Sequence, residues 1–498
     1  MSNQSDVHLQ VTTRALTARL PVLANERIYT NYSSLMWTFL AFNAATWAYL
    51  IGGALPFIGN TKIGLAGFFA GAVIGLVPVT LASGMPSLRY GVDTIEAAKA
   101  PFGTRGIVLP LVASIATLVG WSCVVIALTA QGAANATQAI GNSKSSPSLL
   151  LMAVGVAAVL ATWLVVVRGP WLFERISNYV APGHLVLAGV MVAVLLVKFP
   201  LHTILNTNVP ANEAFTPDRL KGFVYAFEFG FAGSLSWWPG IGGLSRLVKR
   251  QNQLVGPAVV GFGILSGFIL CGIGSFAAVM AGTYDPTVWM ETLGGHVLGT
   301  IMIAFLLIAN IPSIVILVYM AGVQIQQVRV LARLPWRVAV AIILILPLVA
   351  AFNSAWVLKH TINLLSYNGL MFAGVTAVTF VDYFILRRQN IEPRELFRHG
   401  RAGKYWFWGG VNWVAIGVVA MSFVFYLWML NPVTLATHGP FRYTGVSIPT
   451  LLLSGAVYYA VTRLVTIRQR KGGYGRSVQD LTGEAETART LAEAGVSL

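Results

Sequence analysis

Twelve runs of about twenty apolar residues, each bounded by polar or basic loops, dominate this chain and leave it few ways to fold. They fall near residues 34–56, 62–85, 107–131, 147–167, 181–199, 223–247, 256–281, 296–322, 335–352, 361–386, 405–430 and 446–467. A bilayer core about 30 Å thick is crossed by roughly 20 helical residues, and backbone polar groups in lipid must be satisfied within the segment. The pattern therefore predicts an all-α membrane protein of twelve transmembrane helices. Only 10% of the residues are charged and 56% are hydrophobic, against about a quarter charged in a soluble protein. That balance excludes a soluble enzyme. The first run is too long for a cleaved signal sequence, so residues 1–33 read as a cytoplasmic N-terminal segment ahead of a transporter domain at 34–467. Residues 468–498, rich in Gly, Thr and Glu, read as a disordered cytoplasmic tail.

The net charge of +16 would suit a nucleic-acid partner if the basic residues formed one patch. They alternate with the spans instead. With the N-terminus placed inside, 26 of the 33 Lys and Arg fall in inner segments and 7 in outer ones. The positive-inside rule then puts both termini in the cytoplasm and the chain in the cell membrane, with the lipid bilayer and not a nucleic acid as its partner. Cys123 and Cys271 lie within apolar runs, and no Cys or His cluster supplies metal ligands or a catalytic group. No catalytic residue, metal or cofactor is expected. Lipid-facing and partner-facing apolar surfaces have the same composition, so the pattern assigns no oligomeric state.

Polar and helix-weakening residues inside the spans carry the functional signal. Gly64, Gly67, Gly71 and Gly75 share one helix face, as close helix packing requires. The sixth run differs, since Pro239 and five glycines fall within Gly230–Gly243 and predict a discontinuous helix. The first run has a milder version in Asn43 followed by Gly52 and Gly53. Breaks in runs one and six, five apart and opposite in direction, predict two inverted five-helix repeats at about 34–199 and 223–386, with two further helices at 405–467. Asn43 lies about 14 Å deep. Its amide serves either as glue between helices or as a hydrogen-bonding group for a small polar ligand. Trp121, Trp237 and Trp238 sit mid-span, away from the interfaces where tryptophans usually lie, and flat rings facing a cavity can sandwich a planar heterocycle. Asn310 followed by Pro312 predicts a break in the eighth run that frees a carbonyl for ligand or cation. Two carboxylates fall within runs: Glu228, expected to face an outer vestibule and so a candidate proton carrier, and Asp382, read as an interfacial charge beside Arg387 and Arg388.

The segment Arg89-Tyr-Gly-Val-Asp-Thr-Ile-Glu-Ala-Ala-Lys-Ala-Pro-Phe-Gly-Thr-Arg-Gly106, together with Asp382-Tyr-Phe-Ile-Leu-Arg-Arg388, Glu395-Leu-Phe and Gly409-Gly-Val-Asn-Trp-Val414, resembles the nucleobase:cation symporter family. These are permeases of purines, cytosine, uracil, allantoin and hydantoin. The resemblance spans roughly residues 25–465 and implies a leucine-transporter-like fold with alternating access. It also implies a planar substrate held between a helix-three tryptophan, here Trp121, and a helix-six aromatic, placed at Ser234 by an ungapped count and at Trp237 by a short shift. The helix-one amide matches Asn43, and polar residues of helices three and eight, at Val125 and Asn310 here, would read the substrate edge. Val125 is apolar where relatives sometimes carry an amide.

The family's sodium site implies carbonyls near Phe39 and Phe42 and two hydroxyl residues on helix eight. The matching Ile308 and Ala309 have no side-chain oxygen, and hard cations need oxygen ligands. The coupling ion expected is therefore H+, with Na+ as the alternative. A vitamin-precursor pyrimidine is the alternative cargo, while a channel or an intramembrane enzyme lacks the charged rings or catalytic clusters it would need.

Overall fold

The computed structural model describes residues 21–141, 148–210, 212–328, 331–398 and 400–474, and their regular elements are all helices apart from isolated bridges. The main helices are α1 (Tyr32–Asn43), α2 (Thr46–Ile58), α3 (Thr61–Tyr90), α4 (Thr94–Phe102), α5 (Val108–Thr137), α6 (Leu149–Val167), α7 (Pro170–Lys198), α8 (Arg219–Leu235), α9 (Trp238–Ser245), α10 (Val255–Ala281), α11 (Pro286–Ile325), α12 (Trp336–Phe352), α13 (Asn363–Leu386), α14 (Trp413–Met429) and α15 (Ser447–Ile467). Among the described residues, 8 helices are long and apolar enough to cross a membrane, and 9 if α1 and α2, bent by 63°, count as one. The shorter apolar helices α8, α12 and α14 fall where the sequence places spans six, nine and eleven. Exposed Leu149, Val186, Val197, Leu346, Val424 and Leu452 give the bundle an apolar outer surface, as lipid contact requires.

The glycine face of α3 packs on α8. A Cβ at Gly67 would come within 2.5 Å of the Phe223 carbonyl oxygen, and one at Gly71 would collide with that of Phe227. On α8, Gly230 is pressed in the same way against Phe68. Two helices this close have no room for side chains between them, which is why the apolar stretch is glycine-rich.

Helix α1 breaks at Ala44 and Ala45, the latter fully extended (φ −102°, ψ 179°), and not at Gly52 and Gly53. Those two glycines instead sit against the backbone of Cys271 and Tyr284. Helix α8 ends at Leu235, Ser236 and Trp237 form a turn, and α9 starts at Trp238 with Pro239 in its first turn, where a missing N–H costs nothing. The expected break at Asn310 and Pro312 is not there. Helix α11 runs through Pro312, and its kink is at Gly295 (φ +71°). A proline inside a helix removes one hydrogen bond, whereas a left-handed residue redirects the chain.

The segments that carry the family resemblance meet in space. Helix α4 holds a buried Glu96–Lys99 ion pair, and Lys99 also donates to the Leu396 carbonyl at 3.1 Å. Asn412 Nδ2 donates to Pro101 O at 2.6 Å, and Arg387 Nη2 to Ala100 O at 2.8 Å. Asp382, expected as an interfacial charge beside Arg387 and Arg388, is buried in the protein: Arg387 Nε is 2.6 Å away, and the hydroxyls of Tyr458 and Tyr474 donate to its other oxygen at 3.0 and 2.5 Å. Tyr474 reaches it through the left-handed pair Gly472 and Gly473, so residues 472–474 fold back on the bundle. The remainder of the expected tail, and residues 1–20 of the expected N-terminal segment, lie outside the described residues. Residues 22–29 lie across the end of α9, with Tyr29 N donating to Leu247 O and Lys249 N to Tyr29 O, both at 3.0 Å.

Candidate functional site

The two helix breaks face one cavity. Its lining includes Asn43 and Trp47 beside the α1–α2 break, Trp121 from α5, Ser234, Ser236 and Trp237 at the α8–α9 break, and Phe262 from α10. Trp237 lies almost parallel to Phe262, with centroids 4.9 Å apart and planes 5° apart. Trp47 bridges Trp121 at 5.3 Å and Trp237 at 6.0 Å, and Phe42 meets Trp237 edge-on at 4.5 Å. Carbon contacts need about 3.5 Å on each side of an inserted ring. The Trp237–Phe262 slot is therefore shut, and a planar guest enters only if one ring moves away.

Two polar atoms interrupt this aromatic wall. Asn43 Nδ2 donates to Phe262 O at 3.3 Å, which orients the amide, because that carbonyl can only accept. Asn43 Oδ1 is left buried with no partner, and so is the Trp121 indole Nε1–H. An unpaired buried donor or acceptor costs about 1–3 kcal/mol, so one of each on a single cavity describes a complementary guest with both an N–H and a C=O. Ser234 lines the cavity too, but its hydroxyl is already committed to Ala72 O at 2.7 Å.

Other expected site residues are placed elsewhere. Val125 is buried off the cavity, and its carbonyl accepts from Thr129 Oγ1 at 2.7 Å. Asn310 does not line the cavity. Its Oδ1 accepts from Thr46 N at 2.9 Å and Thr46 Oγ1 at 3.0 Å, and its Nδ2 donates to Thr129 Oγ1 at 2.8 Å, so the amide stitches the start of α2 to α5 and α11. Phe39 packs on Phe262 at 4.8 Å, and Ala309 is fully buried.

Glu228 corrects the expectation of an outer vestibule residue. It is buried, does not line the cavity and caps α15: Val446 N donates to its carboxylate at 2.9 Å, Ser447 N at 3.1 Å, and the Ser447 hydroxyl closes a third bond. A carboxylate at a helix N-terminus satisfies backbone donors that would otherwise lack partners in lipid.

The carbonyls freed at the α1–α2 break have partners as well. Ser313 Oγ donates to Phe42 O at 2.8 Å and Ser266 Oγ to Asn43 O at 3.3 Å. Ile308 and Ala309 offer no side-chain oxygen, as expected, but Ser313, one turn beyond Ala309, brings a hydroxyl to the Phe42 carbonyl. Trp47, Phe262, Ser266 and Ser313 escaped the sequence reading. The only signal pointing to Trp47 was its place four residues after Asn43, and small hydroxyl residues in apolar helices are too common to single out.

The neighbouring tryptophans divide the interior. Trp237 lines the aromatic cavity, while Trp238 lines a second one with Ser83, Thr94, Thr379 and Asp382, toward the end of the bundle that carries α4.

A family model described as permease for cytosine/purines, uracil, thiamine, allantoin matches residues 23–447. The chain belongs to this permease family. A hydantoin permease of Microbacterium maritypicum is 23% identical over 375 residues, covering 68% of this chain and 69% of that protein. The permease fold is also that of Mhp1, a nucleobase-cation-symport-1 family transporter solved closed with bromovinylhydantoin bound, at TM-score 0.70, 19% identity and coverage of 90% of this chain and 96% of that one. The inward-facing form of Mhp1 matches at TM-score 0.68, and a Na+-coupled sialic acid symporter at 0.59 with 12% identity. The permease is thus an integral membrane transporter and not an enzyme.

Proposed function

We propose that this permease is a proton symporter that imports a planar, amide-containing heterocycle of the nucleobase or hydantoin type by alternating access. The single observation that carries the reading is the unpaired pair on the aromatic cavity, Trp121 Nε1–H and Asn43 Oδ1. A ring bearing C=O and N–H groups on its edge meets both, the Trp121 indole edge donating to it while Trp237 offers a stacking face. The alternating basic loops support twelve spans in two inverted repeats with both termini in the cytoplasm, and the breaks at 44–45 and 236–237 fall at corresponding places in the two halves. Proton coupling is favoured because hydroxyls of the protein already satisfy the Phe42 and Asn43 carbonyls.

Sodium coupling is the second reading, and one observation favours it. Ser313 Oγ and Phe42 O lie 2.8 Å apart beside Ala309, and a cation displacing that hydrogen bond would gain two oxygens.

The test is thermal unfolding of the purified protein with uracil, cytosine, hypoxanthine, allantoin, hydantoin and a thiamine-type pyrimidine, each in sodium or choline. A ligand at 100 times its Kd stabilises by about 2.7 kcal/mol. A shift with one heterocycle that ignores sodium is the expected result. Dependence on sodium selects the second reading, and no shift with any ring overturns the cargo.

A further inference from the structure

Helix α7 carries a titratable side chain that nothing above uses. His184 lies fourteen residues from Pro170 and fourteen from Lys198, the two ends of the 29-residue helix, so it sits about 21 Å from either end. It is fully buried. Nδ1 lies 3.1 Å from the carbonyl of Val180, which can only accept, so the ring proton is on Nδ1 and Nε2 presents a bare lone pair. That lone pair has no partner. The ring meets Phe305 of α11 edge-on at 5.5 Å, and Ala181 and Leu187 of α7 belong to one apolar cluster with Ala41 and Ala44 at the end of α1.

A buried acceptor with no donor costs about 1–3 kcal/mol, and leucine at this place would avoid the cost. Three carboxylates of the helices are committed. Glu228 caps α15, Asp382 pairs with Arg387, and Glu174 accepts from Ser34 and Asn178. The elements packed on α7 bring no charge to the ring. On α1 the titratable group is Tyr32, about nine residues from Ala41. On α11 they are Glu291, His296 and Tyr319, all about 14 Å or more along the helix from Phe305, and α10 offers Cys271, whose thiol donates to Ala48 O.

We propose that His184 is the proton carrier of the transport cycle. Nε2 takes a proton from water on the outer side, the imidazolium forms, and the same proton leaves Nε2 to water on the inner side. A charge in the apolar α1–α7–α11 seam is costly until water reaches it, so protonation favours the arrangement in which the seam is hydrated. Coupling then follows from the packing of α7 on α1, the helix that ends at the break where substrate binding acts. The proposal rests on the proton-symport reading.

The experiment uses the full chain in proteoliposomes loaded with a pH dye, with the heterocycle selected by the unfolding assay. Wild type should accumulate substrate down a pH gradient and alkalinise the medium as it does so. His184→Asn, which keeps the donor to Val180, and His184→Phe, which keeps the edge contact with Phe305, should retain substrate exchange and lose at least tenfold of gradient-driven accumulation. Proton movement persisting in both overturns the carrier role. Sodium-driven accumulation without proton movement in wild type overturns the symport reading beneath it. Should neither variant fold, 15N-histidine NMR of a chain keeping His184 as its sole histidine decides the matter: an imidazolium signal appearing with substrate between pH 7.5 and 5 supports the role, and a neutral ring throughout ends it.

Discussion

Trp237 and Phe262 lie face to face 4.9 Å apart with planes 5° apart, the α8–α9 break supplying one ring and α10 the other. A stack this close fills the space a flat substrate would take, so binding must be linked to movement of the chain that carries one ring. Trp237 sits in a turn between two helices, so a change at the α8–α9 break would carry that ring with it.

Trp121 divides into two measurable parts. Replacement by Phe keeps a stacking face and removes the unpaired N–H, which should weaken binding by about 5–30-fold, the cost of one hydrogen bond of 1–2 kcal/mol. Replacement by Ala removes both and should abolish detectable binding while the protein stays folded. Ligand-induced shifts in unfolding temperature measure both variants, and a Trp121→Ala protein that binds like wild type would remove the stacking arrangement.

Glu228→Gln tests the cap. Gln can accept from Val446 N or Ser447 N but lacks the charge that favours a helix N-terminus, and the loss should be about 1–3 kcal/mol of stability. Proton-to-substrate stoichiometry should be unchanged. Uncoupled transport in this variant would restore Glu228 as a carrier.

Gly71→Val should fail to assemble, because a side chain there meets the Phe227 carbonyl with no path to relax. Gly417→Ala on α14 has open space at the same atom and serves as the control. Monodisperse elution in detergent distinguishes them, and a well-behaved Gly71→Val protein would contradict the α3–α8 contact.

Stability should fall as pH rises toward neutrality through one group outside the spans. Burial pushes Asp93, the cap of α4, up to about 6 from an ordinary 3.8, with the Arg246 guanidinium opposing the shift. The folded state therefore holds this proton more tightly than the unfolded chain. The contribution is complete below about pH 4 and gone above about pH 6, worth about 3 kcal/mol across the window. Asp93→Asn retains the cap and should flatten the unfolding temperature between those limits; an unchanged slope would assign the dependence to other groups.

The family motifs were legible because they are local strings, and they turn out to join α4 to the 382–414 segment through Lys99, Arg387 and Asn412. The roles of single polar residues were less legible. Asn43 and Asn310 look alike in the sequence, an amide deep in an apolar run. Yet Asn310 is saturated by Thr46 and Thr129, while Asn43 keeps a free oxygen on the cavity. Glu228 reads as a proton carrier until the start of α15, more than two hundred residues away, is seen to need its oxygens.

From the sequence alone came the membrane class, the placement of most spans and the expectation of broken helices, because hydrophobic length, the proline and glycine pattern and the distribution of Lys and Arg are properties of short segments. Tertiary structure decided where each helix breaks and which polar atoms remain unpaired. Those depend on which donors and acceptors distant segments bring together, and in a low-dielectric interior one hydroxyl such as Ser313, placed against Phe42, settles whether a carbonyl is satisfied.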